Sequence, residues 1–490
     1  MAPPGRSCDI ASMAVKIRLF PTRLRLHIPL RKTQFVSRSP VLSILITGLC
    51  FYLWQLTLNV TMNILLIGNG GREHALAWKI RQSPLCTKLF VAPGNAGTAI
   101  VAENVAIQAE DFHALGQFCQ DKSVELVIVG PEAPLVKGIR DYFESNPWLK
   151  DILIVGPGKV GAQLEGSKDF SKQFMLRNGI PTAKARTFTA ANIQEAFDYI
   201  ATCKPPIVLK ADGLAAGKGV VVSLSQAEAK AVIKDMLVNK KFGEASAKVL
   251  IEEFLSGIEL SVFVLTDGKD YVILPEAKDY KRIGDGDTGP NTGGMGAVSP
   301  VVFASPDFMK RVEEKVVKPT IAGLNREAIE YKGFIFVGLM NVGGMPYVIE
   351  YNARMGDPET QAVMPRIKND LVELLVATAK GELKNHRMEI DDDHAVTIAL
   401  VSEGYPGDYE KGKPIHGLEK ENKALIFHAG TRNREQHVVT DGGRVLAVTG
   451  RGNSLQEARE AAYACAARIG WDGLYFRKDI GIDLLNYKGI

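Results

Sequence analysis

Four short apolar segments near the start of the chain each run directly into a turn of glycine or proline, and this pattern limits the fold more than any other feature. The segments are Asn63–Ile67, Lys88–Ala92, Leu126–Val129 and Ile152–Val155. Alternating strands and helices with glycines at the strand ends predict an open parallel α/β sheet over residues 62–163.

The turn after the first strand, GNGGR at 68–72, opens a segment in which Leu76 and Ile80 repeat at helical spacing. Glycines at a helix N-terminus favour an anionic ligand, most often a phosphate. A dinucleotide-binding fold is the competing interpretation. The second strand, however, ends in the turn 93–95 without the acid that would hold an adenosine ribose.

A second glycine cluster, at 213–219, separates an apolar segment ending in Lys210 from the segment Val220–Ser223. Both neighbours look like strands, so the cluster predicts a hairpin. It is not a Walker loop, which needs four residues between its glycines, Ser or Thr after the lysine, and a following helix. The hairpin fits a flap over a triphosphate, with Lys210 and Lys218 supplying positive charge. Two solvated lysines beside a tight turn are the alternative.

The third cluster is the segment 279–300, here called the glycine loop. Six glycines between Gly284 and Gly296 argue against a regular helix or a central strand. Apolar runs on both sides, Tyr271–Leu274 and Phe334–Met340, argue against disorder. Long loops inside compact domains are usually functional or disordered. We therefore predict a substrate-binding loop, with a plain surface loop as the alternative.

Acidic residues mark two further strands. The first ends in Glu252 and Glu253, of which the second is expected to face water, and Glu259 follows where it could accept ribose hydroxyls.

Alternation along the second strand puts Glu350, Asn352 and Arg354 on one face. Carboxylate and amide oxygens suit Mg²⁺, and a neighbouring arginine can stabilise a phosphoryl group in transfer. The solvated face of an edge strand would show the same pattern.

Taken together, these segments resemble the ATP-grasp superfamily and, within it, the phosphoribosylamine–glycine ligase family. The resemblance covers residues 62–490 and none of 1–61. It rests on the sequences GPNTGGMGA at 289–297, GNGGREHA at 68–75, LKADGLAAGKGVVV at 209–222, GDPETQ at 356–361, FHAGT at 427–431, VTDGGRVLAVT at 439–449 and RKDIG at 477–481. One departure is the sequence Lys278-Asp279-Tyr280-Lys281-Arg282, where the family commonly has Gln-Asp-His-Lys-Arg.

The resemblance implies ligation of glycine to 5-phosphoribosylamine with ATP, through a glycyl phosphate, in purine biosynthesis. It implies catalytic roles for Arg354, Lys210 and Asp279, and one or two Mg²⁺ or Mn²⁺ ions on Glu350 and Asn352. For ATP it implies Lys168, Lys210, Gly213, Gly217, Lys218, Gly219, Glu252, Glu253, Phe254, Leu255 and Glu259. For the other substrates it implies Gly68, Gly70, Gly71, Arg72, Asn291, Thr292, Gly293, Gly294, Met295, Gly356 and Asp357.

We therefore predict a multidomain α/β and α+β protein. The expected domains are a substrate-binding α/β domain at 62–163, an ATP-grasp domain at 164–388 with a mobile flap lobe at about 185–255, and a small α/β domain at 389–490. Four scattered cysteines after residue 61 fit reduced thiols of a cytoplasmic protein.

Charge separates the first 61 residues from the rest. They carry eight Lys or Arg and one acid, which leaves 51 of the 59 basic and 54 of the 55 acidic residues in 62–490. That balance gives no electrostatic case for nucleic acid or membrane as a partner, and no stable protein partner is expected. The uncharged run 41–60 is long enough for a transmembrane helix. No linker separates it from the first strand, so we expect Met62 to be the true start, with a membrane anchor as the alternative.

Two other functions fit parts of the sequence. Another ATP-grasp ligase, of the carboxylase or formyl-transferring type, would share the ATP site but not the GPNTGGMGA segment. A membrane-anchored nucleotide-binding protein without catalysis would fit 41–60, but not the set of Glu350, Asn352 and Arg354.

Overall fold

A computed structural model of the chain describes residues 61–214, 219–419 and 424–488. The apolar run at 41–60 and the flap residues Gly217 and Lys218 lie outside the described residues. Within the described ranges, no helix combines the length and the apolar character needed to cross a membrane.

The N-terminal segment forms the predicted open sheet, with all neighbouring strands parallel and in the order β3-β2-β1-β4-β5. Its strands are β1 (Met62–Gly68), β2 (Cys86–Pro93), β3 (Glu103–Asn104), β4 (Val124–Val129) and β5 (Leu153–Val155). Its helices are α1 (Gly71–Ile80), α2 (Thr98–Val101), α3 (Phe112–Asp121), α4 (Glu132–Lys137) and α5 (Ile139–Ser145). The central strand β1 is buried on both faces from Ile64 to Ile67, as expected of a parallel strand covered by helices.

Helices α6 (Gln163–Gly166) and α7 (Lys168–Arg177) lead into a small lobe with its own apolar core. The lobe is an antiparallel sheet in the order β6-β9-β7-β8 with two helices. Its elements are β6 (Ala185–Phe188), α8 (Ile193–Thr202), β7 (Ile207–Ala211), β8 (Val220–Ser223), α9 (Gln226–Leu237) and β9 (Val249–Glu253). Strands β7 and β8 pair from Ile207–Ser223 to Lys210–Val220, which confirms the predicted hairpin.

The second half of the middle segment is an antiparallel sheet in the order β11-β10-β16-β17. Its strands are β10 (Ile258–Thr266), β11 (Tyr271–Ile273), β16 (Gly333–Val342) and β17 (Met345–Asn352). The helices of this region are α10 (Pro306–Val312), α11 (Lys318–Arg326), α12 (Glu359–Val363) and α13 (Leu371–Lys380). Strand β17 lies at the sheet edge, so its side chains can face a cleft.

The glycine loop is more regular than predicted. It contains the strands β12 (Lys278–Asp279), β13 (Arg282–Gly284), β14 (Thr288–Asn291) and β15 (Gly296–Ser299). Strand β15 is buried and lies between β12 and β18, so the prediction that this segment avoids a central strand was wrong for its last residues. Glycine is suited to this position because a Cβ at Gly296 would lie 2.7 Å from the Thr397 carbonyl oxygen of the next strand.

The C-terminal segment completes that sheet, in the order β12-β15-β18-β22-β19, with β23 added beside β18. Its elements are β18 (His394–Ser402), β19 (Leu425–His428), β20 (Thr431–Arg434), β21 (His437–Thr440), β22 (Arg444–Gly452), α14 (Leu455–Ala466), β23 (Leu474–Tyr475) and α15 (Ile482–Leu485). The sheet joins strands from both sides of residue 389, and one apolar core runs through both segments.

Candidate active site

A buried carboxylate between two lysines joins the flap lobe to helix α7. Glu252, on β9, is 5% exposed, and its two oxygens lie 3.0 Å from Lys172 Nζ and 2.8 Å from Lys210 Nζ. Burial opposes ionisation, but the two ammonium groups hold the pKa of Glu252 below its ordinary value. Lys210 also donates to the carbonyl of Ile349 at 2.9 Å. The hairpin lysine is thereby held beside β17, the strand that carries Glu350.

Lys168 opens helix α7 next to the flap. Its Nζ donates to the Gly213 carbonyl at 3.2 Å, and its backbone N–H donates to the Asp212 carbonyl at 3.1 Å. Burial lowers the pKa of Lys168, against the attraction of Glu350. The structure therefore brings the predicted residues Lys168, Lys210 and Gly213 to the base of the hairpin. Gly219 follows the undescribed flap tip and accepts from Ala211 N–H.

The predicted adenine segment continues from β9. Glu253 is exposed, as expected, and accepts from the Lys184 N–H at 2.9 Å. Phe254 is 44% exposed and Leu255 is partly exposed. An apolar ring open to solvent suits contact with a flat base, and the adenine role of this segment stays a prediction.

Glu259, predicted to meet a ribose, is paired with a residue of the glycine loop. Lys281 Nζ lies 2.6 Å from Glu259 Oε2. Lys281 lowers the pKa of Glu259, and Glu259 is in turn a main cause of the raised pKa of Lys281. The pair links the predicted ribose-binding residue to the glycine loop.

Glu350 and Asn352 share one face at the end of β17, as predicted. The Glu350 carboxylate has no direct hydrogen-bond or ion-pair partner in the described part of the chain, although it attracts Lys168 and Lys281. With its amide nitrogen toward Glu165 Oε1 (3.1 Å) and the Tyr351 carbonyl (3.2 Å), Asn352 keeps its amide oxygen for another ligand. An unpaired carboxylate beside an amide oxygen fits a hard divalent cation.

Arg354 lies just beyond β17, which ends at Asn352, and it meets the same Glu165 oxygen as the Asn352 amide. Its Nη2 lies 2.8 Å from Glu165 Oε1 and its Nε lies 3.4 Å from Glu132 Oε2. The same Glu132 oxygen lies 3.9 Å from Arg72 Nη2. Two carboxylates thus hold Arg354 just beyond the end of the strand.

The turn at 68–72 is held by acidic side chains. Gly70 N–H donates to Glu73 Oε2 at 2.6 Å, and Arg72 N–H donates to Asp357 Oδ2 at 3.3 Å. Arg72 Nε also lies 2.8 Å from Glu73 Oε1. A Cβ at Gly68 or Gly70 would lie within 2.9 Å of Glu73, so these glycines allow the close approach of that carboxylate. The predicted anion-binding turn therefore offers fewer free N–H groups than a bare helix N-terminus.

Two adjoining cavities lie beside this turn, with volumes of about 230 and 250 Å³. The first is lined by Asn69, Gly70, Asp357, Tyr405, Ala429, Gly430 and Arg444. The second shares Asn69, Ala429 and Gly430 and adds polar residues that include Asn95, Thr431, Arg432 and Asp441. Residues from all three predicted domains thus surround one polar space.

The glycine loop contacts residues that line this space. Arg444 donates to the carbonyls of Gly293 and Asp357, and Gly293 N–H donates to the Tyr405 hydroxyl at 2.9 Å. Thr292 accepts from Gly294 N–H at 2.9 Å. Two loop residues that were predicted to bind substrate have other surroundings. Asn291 is exposed on β14, and the Met295 side chain is fully buried against Ala399 and Val401 and does not enter the space.

Asp279 lies against this part of the loop. Its Oδ1 is buried, has no hydrogen-bond partner among the described residues, and would lie 2.9 Å from a Cβ on Gly294. Burial and the neighbouring Glu359 raise its pKa well above the ordinary value. Glu359 itself is 4% exposed and accepts from Ser261 at 3.1 Å, while Gly356 provides room for its carboxylate.

Sequence reasoning missed several charged residues of the site. They are Glu132, Glu165, Lys172, Lys281, Glu359 and Arg444. Glu132 follows a strand at its carboxyl end, and the resemblance used the segments that hold Lys281, Glu359 and Arg444, so a signal existed for these four. Glu165 and Lys172 sit on helices with ordinary polar neighbours, and only their burial distinguishes them.

Three family models match the chain in succession. They describe the N domain of phosphoribosylglycinamide synthetase at 62–165, its ATP-grasp (A) domain at 166–360 and its C domain at 395–483. Among solved structures, a phosphoribosylamine–glycine ligase of Thermotoga maritima superposes with a TM-score of 0.75 at 35% identity, covering 85% of this chain and all of the other. A 2-oxoglutarate carboxylase biotin carboxylase domain from Hydrogenobacter thermophilus, at 15% identity and a TM-score of 0.65, covers 88% of this chain and all of the other and shares the fold.

Curated relatives agree with the family models. The phosphoribosylamine–glycine ligase of Yersinia pestis is 48% identical over 426 residues, which is 86% of this chain and 98% of that protein. The Escherichia coli K12 protein of the same name is 49% identical with the same coverage. The chain therefore belongs to the phosphoribosylglycinamide synthetase family, whose middle domain is of the ATP-grasp type.

Proposed function

We propose that the chain ligates glycine to 5-phosphoribosylamine with ATP, giving glycinamide ribonucleotide, ADP and phosphate in purine biosynthesis. The observation that carries the proposal is a chain of polar and charged contacts between the two halves of the site. It runs from Asn352 on β17 through Glu165, Arg354, Glu132 and Arg72 to Asp357, which lines the cavity beside the 68–72 turn. Relatives named for this activity match the chain over nearly their full length.

The ATP side would bind and orient the triphosphate. Lys168 and Lys210 supply positive charge at the base of the hairpin, where Glu252 and Ile349 hold Lys210 in place. Glu253, Phe254 and Leu255 would meet the adenine. Glu259 would accept the ribose hydroxyls, although its ion pair with Lys281 must then be shared or opened.

Glu350 and Asn352 would hold Mg²⁺ or Mn²⁺. Such an ion, when bound together with phosphate oxygens, neutralises charge that develops on the transferring phosphoryl group. Arg354 adds a fixed guanidinium beside it. Because Glu132 and Glu165 pin that guanidinium, it needs little reorganisation during the reaction.

In the first step, a glycine carboxylate oxygen attacks the γ-phosphorus and the bond to ADP breaks, giving glycyl phosphate. In the second, the amine of phosphoribosylamine attacks the acyl carbon and phosphate leaves. Asp279 is suited to take the proton that the amine loses, because one of its oxygens is unpaired and its raised pKa favours proton uptake. Enclosure by the flap would protect the acyl phosphate from water.

The cavity beside Gly70, Asp357 and Arg444 would take the aminoribose phosphate, with glycine next to Gly293 and Gly294. We further propose the domain limits given above, a cytoplasmic location and small-molecule substrates alone as partners. These assignments rest on the resemblance and on the residues that surround the cavity.

The test is phosphate release by the full 490-residue chain with ATP, Mg²⁺, glycine and freshly prepared phosphoribosylamine. Release should require both glycine and phosphoribosylamine, and glycinamide ribonucleotide should form in equal amount. Glu350→Gln should lower the rate at low Mg²⁺ more than at high Mg²⁺. Release that does not depend on both substrates would overturn the proposal.

A further inference from the structure

The glycine loop is attached to the C-terminal residues 477–483, here called the C-terminal clamp. Arg477 is buried and donates to the Arg282 carbonyl at 3.1 Å and to Asp287 at 2.7 Å. Asp479 accepts from Gly286 N–H at 2.8 Å. The clamp therefore holds strand β13 and the turn that joins it to β14.

A second attachment involves Asp483 and residues 278–280. Asp483 accepts from the Tyr280 hydroxyl at 2.5 Å and pairs with Lys278 Nζ at 3.0 Å. The Tyr280 hydroxyl also accepts from Gly481 N–H at 3.1 Å, and Lys278 Nζ lies 3.7 Å from the Tyr280 ring centre. Hydrogen bonds to an ionised group are stronger than neutral ones, and a cation over an aromatic face adds to them.

Residues 278–281 alternate between two surroundings. Lys278 and Asp279 pair with Val298 and Ala297 of β15, and Tyr280 continues this pairing through Gly296 and Met295. Side chains along an extended segment point to opposite sides in turn.

The two sides have different partners. Lys278 and Tyr280 face the clamp, whereas Asp279 lies against Gly294 and Lys281 pairs with Glu259. The orientation of one pair of side chains therefore sets that of the other.

We infer that Asp483 is a positioning residue for the amine-transfer site: through Tyr280 and Lys278 it fixes the backbone that aims Asp279 and Lys281. The inference rests on the proposed function. It also gives a physical account of the departure from the family sequence. Lys278 and Tyr280, which stand where the family commonly has Gln and His, share one carboxylate and so act as a matched set with Asp483.

The test compares Tyr280→Phe, Asp483→Asn and their double variant in the full chain, with kcat and KM measured for each substrate. Each single change should lower kcat/KM for phosphoribosylamine about tenfold, as loss of a charge-assisted hydrogen bond predicts. The KM for ATP should change less than twofold. The kcat/KM of the double variant should be no lower than that of the less active single variant, because both changes remove the same contact.

Tyr271→Phe is the matched control, because its hydroxyl donates to Glu313 at 2.7 Å from a strand at the far edge of the central sheet from β17. Tyr271→Phe should leave kcat and the KM of each substrate near the wild-type values. Thermal unfolding of every variant distinguishes a variant that fails to fold from a folded variant in which Asp279 and Lys281 are misplaced. If Tyr280→Phe does not fold, Lys278→Met removes the ion pair while keeping the tyrosine.

Three outcomes would overturn the inference: kinetics like those of Tyr271→Phe, multiplicative effects in the double variant, or an equal loss for ATP. Asp483→Glu keeps the charge and should recover part of the loss, which a merely structural role would not require. Wild-type protein without activity dependent on both substrates would instead refute the proposed function, so the two failures are distinguishable.

Discussion

Lys172 and Lys210 bind the same buried carboxylate, and their separate replacement by methionine distinguishes support from catalysis. Both lie within 3.0 Å of Glu252, and both are mostly buried. Lys172 makes its other bonds to Thr182 and Ala183, away from the flap. Lys210 instead bonds to β17 beside Glu350.

We expect similar losses of stability and very different losses of activity. Removing both partners would leave an isolated buried charge at a cost of about 3–5 kcal/mol, but each variant leaves Glu252 one lysine, so about 2 kcal/mol is expected. Lys210→Met should also lower kcat/KM for ATP at least about 100-fold, which is about 3 kcal/mol of transition-state stabilisation. Lys172→Met should retain activity within about fivefold, since Lys210 keeps its carboxylate partner.

The assays are thermal unfolding, phosphate release across a range of ATP concentrations, and calorimetric titration with ATP. Lys234→Met, an exposed position on α9 of the same lobe, is the control for removing a charge from the lobe. Equal loss of activity in the Lys172 and Lys210 variants would refute the division of roles. Unchanged ATP affinity in Lys210→Met would refute the phosphate contact.

Two further predictions concern pH and backbone geometry. His428 N–H donates to His74 Nδ1 at 2.8 Å, and burial lowers the pKa of these residues to about 4 and about 3. Because the folded pKa values lie below the ordinary 6.5, stability is lost as pH falls below about 6.5, by about 2 kcal/mol per histidine at pH 5. Unfolding midpoints measured from pH 7 to 5 should show this loss, and His74→Asn should halve it. An unfolding midpoint that stays constant over this range would contradict the prediction. Gly294→Ala should abolish activity, because the φ of Gly294 is +116° and the new Cβ would lie 2.4 Å from Pro358. Gly286→Ala is the comparison: its φ is +66° and no atom lies within 4 Å of the new Cβ, so it should cost about 1 kcal/mol of stability at most. Comparable activity in the two alanine variants would contradict the close-packing argument.

Much of the fold could be predicted because it depends on local patterns. Apolar segments that end in glycine predicted the parallel sheet, and the cluster after Lys210 predicted the β7–β8 hairpin. Alternation placed Glu350 and Asn352 on one face. Arg354 lies beyond the strand end at Asn352, where two acids from other helices hold it, and strand periodicity could not predict those partners.

The chain's glycine turns, strand periods and family motifs were readable from the sequence alone, because each is set within about a dozen neighbouring residues. The charge pairs were not. Asp483 meets Tyr280 across 203 residues, and the flap lobe and the glycine loop both lie between Glu165 and Arg354 in the chain. Only the tertiary structure decides such pairs, because a buried charge must find whichever opposite charge the packing brings near it.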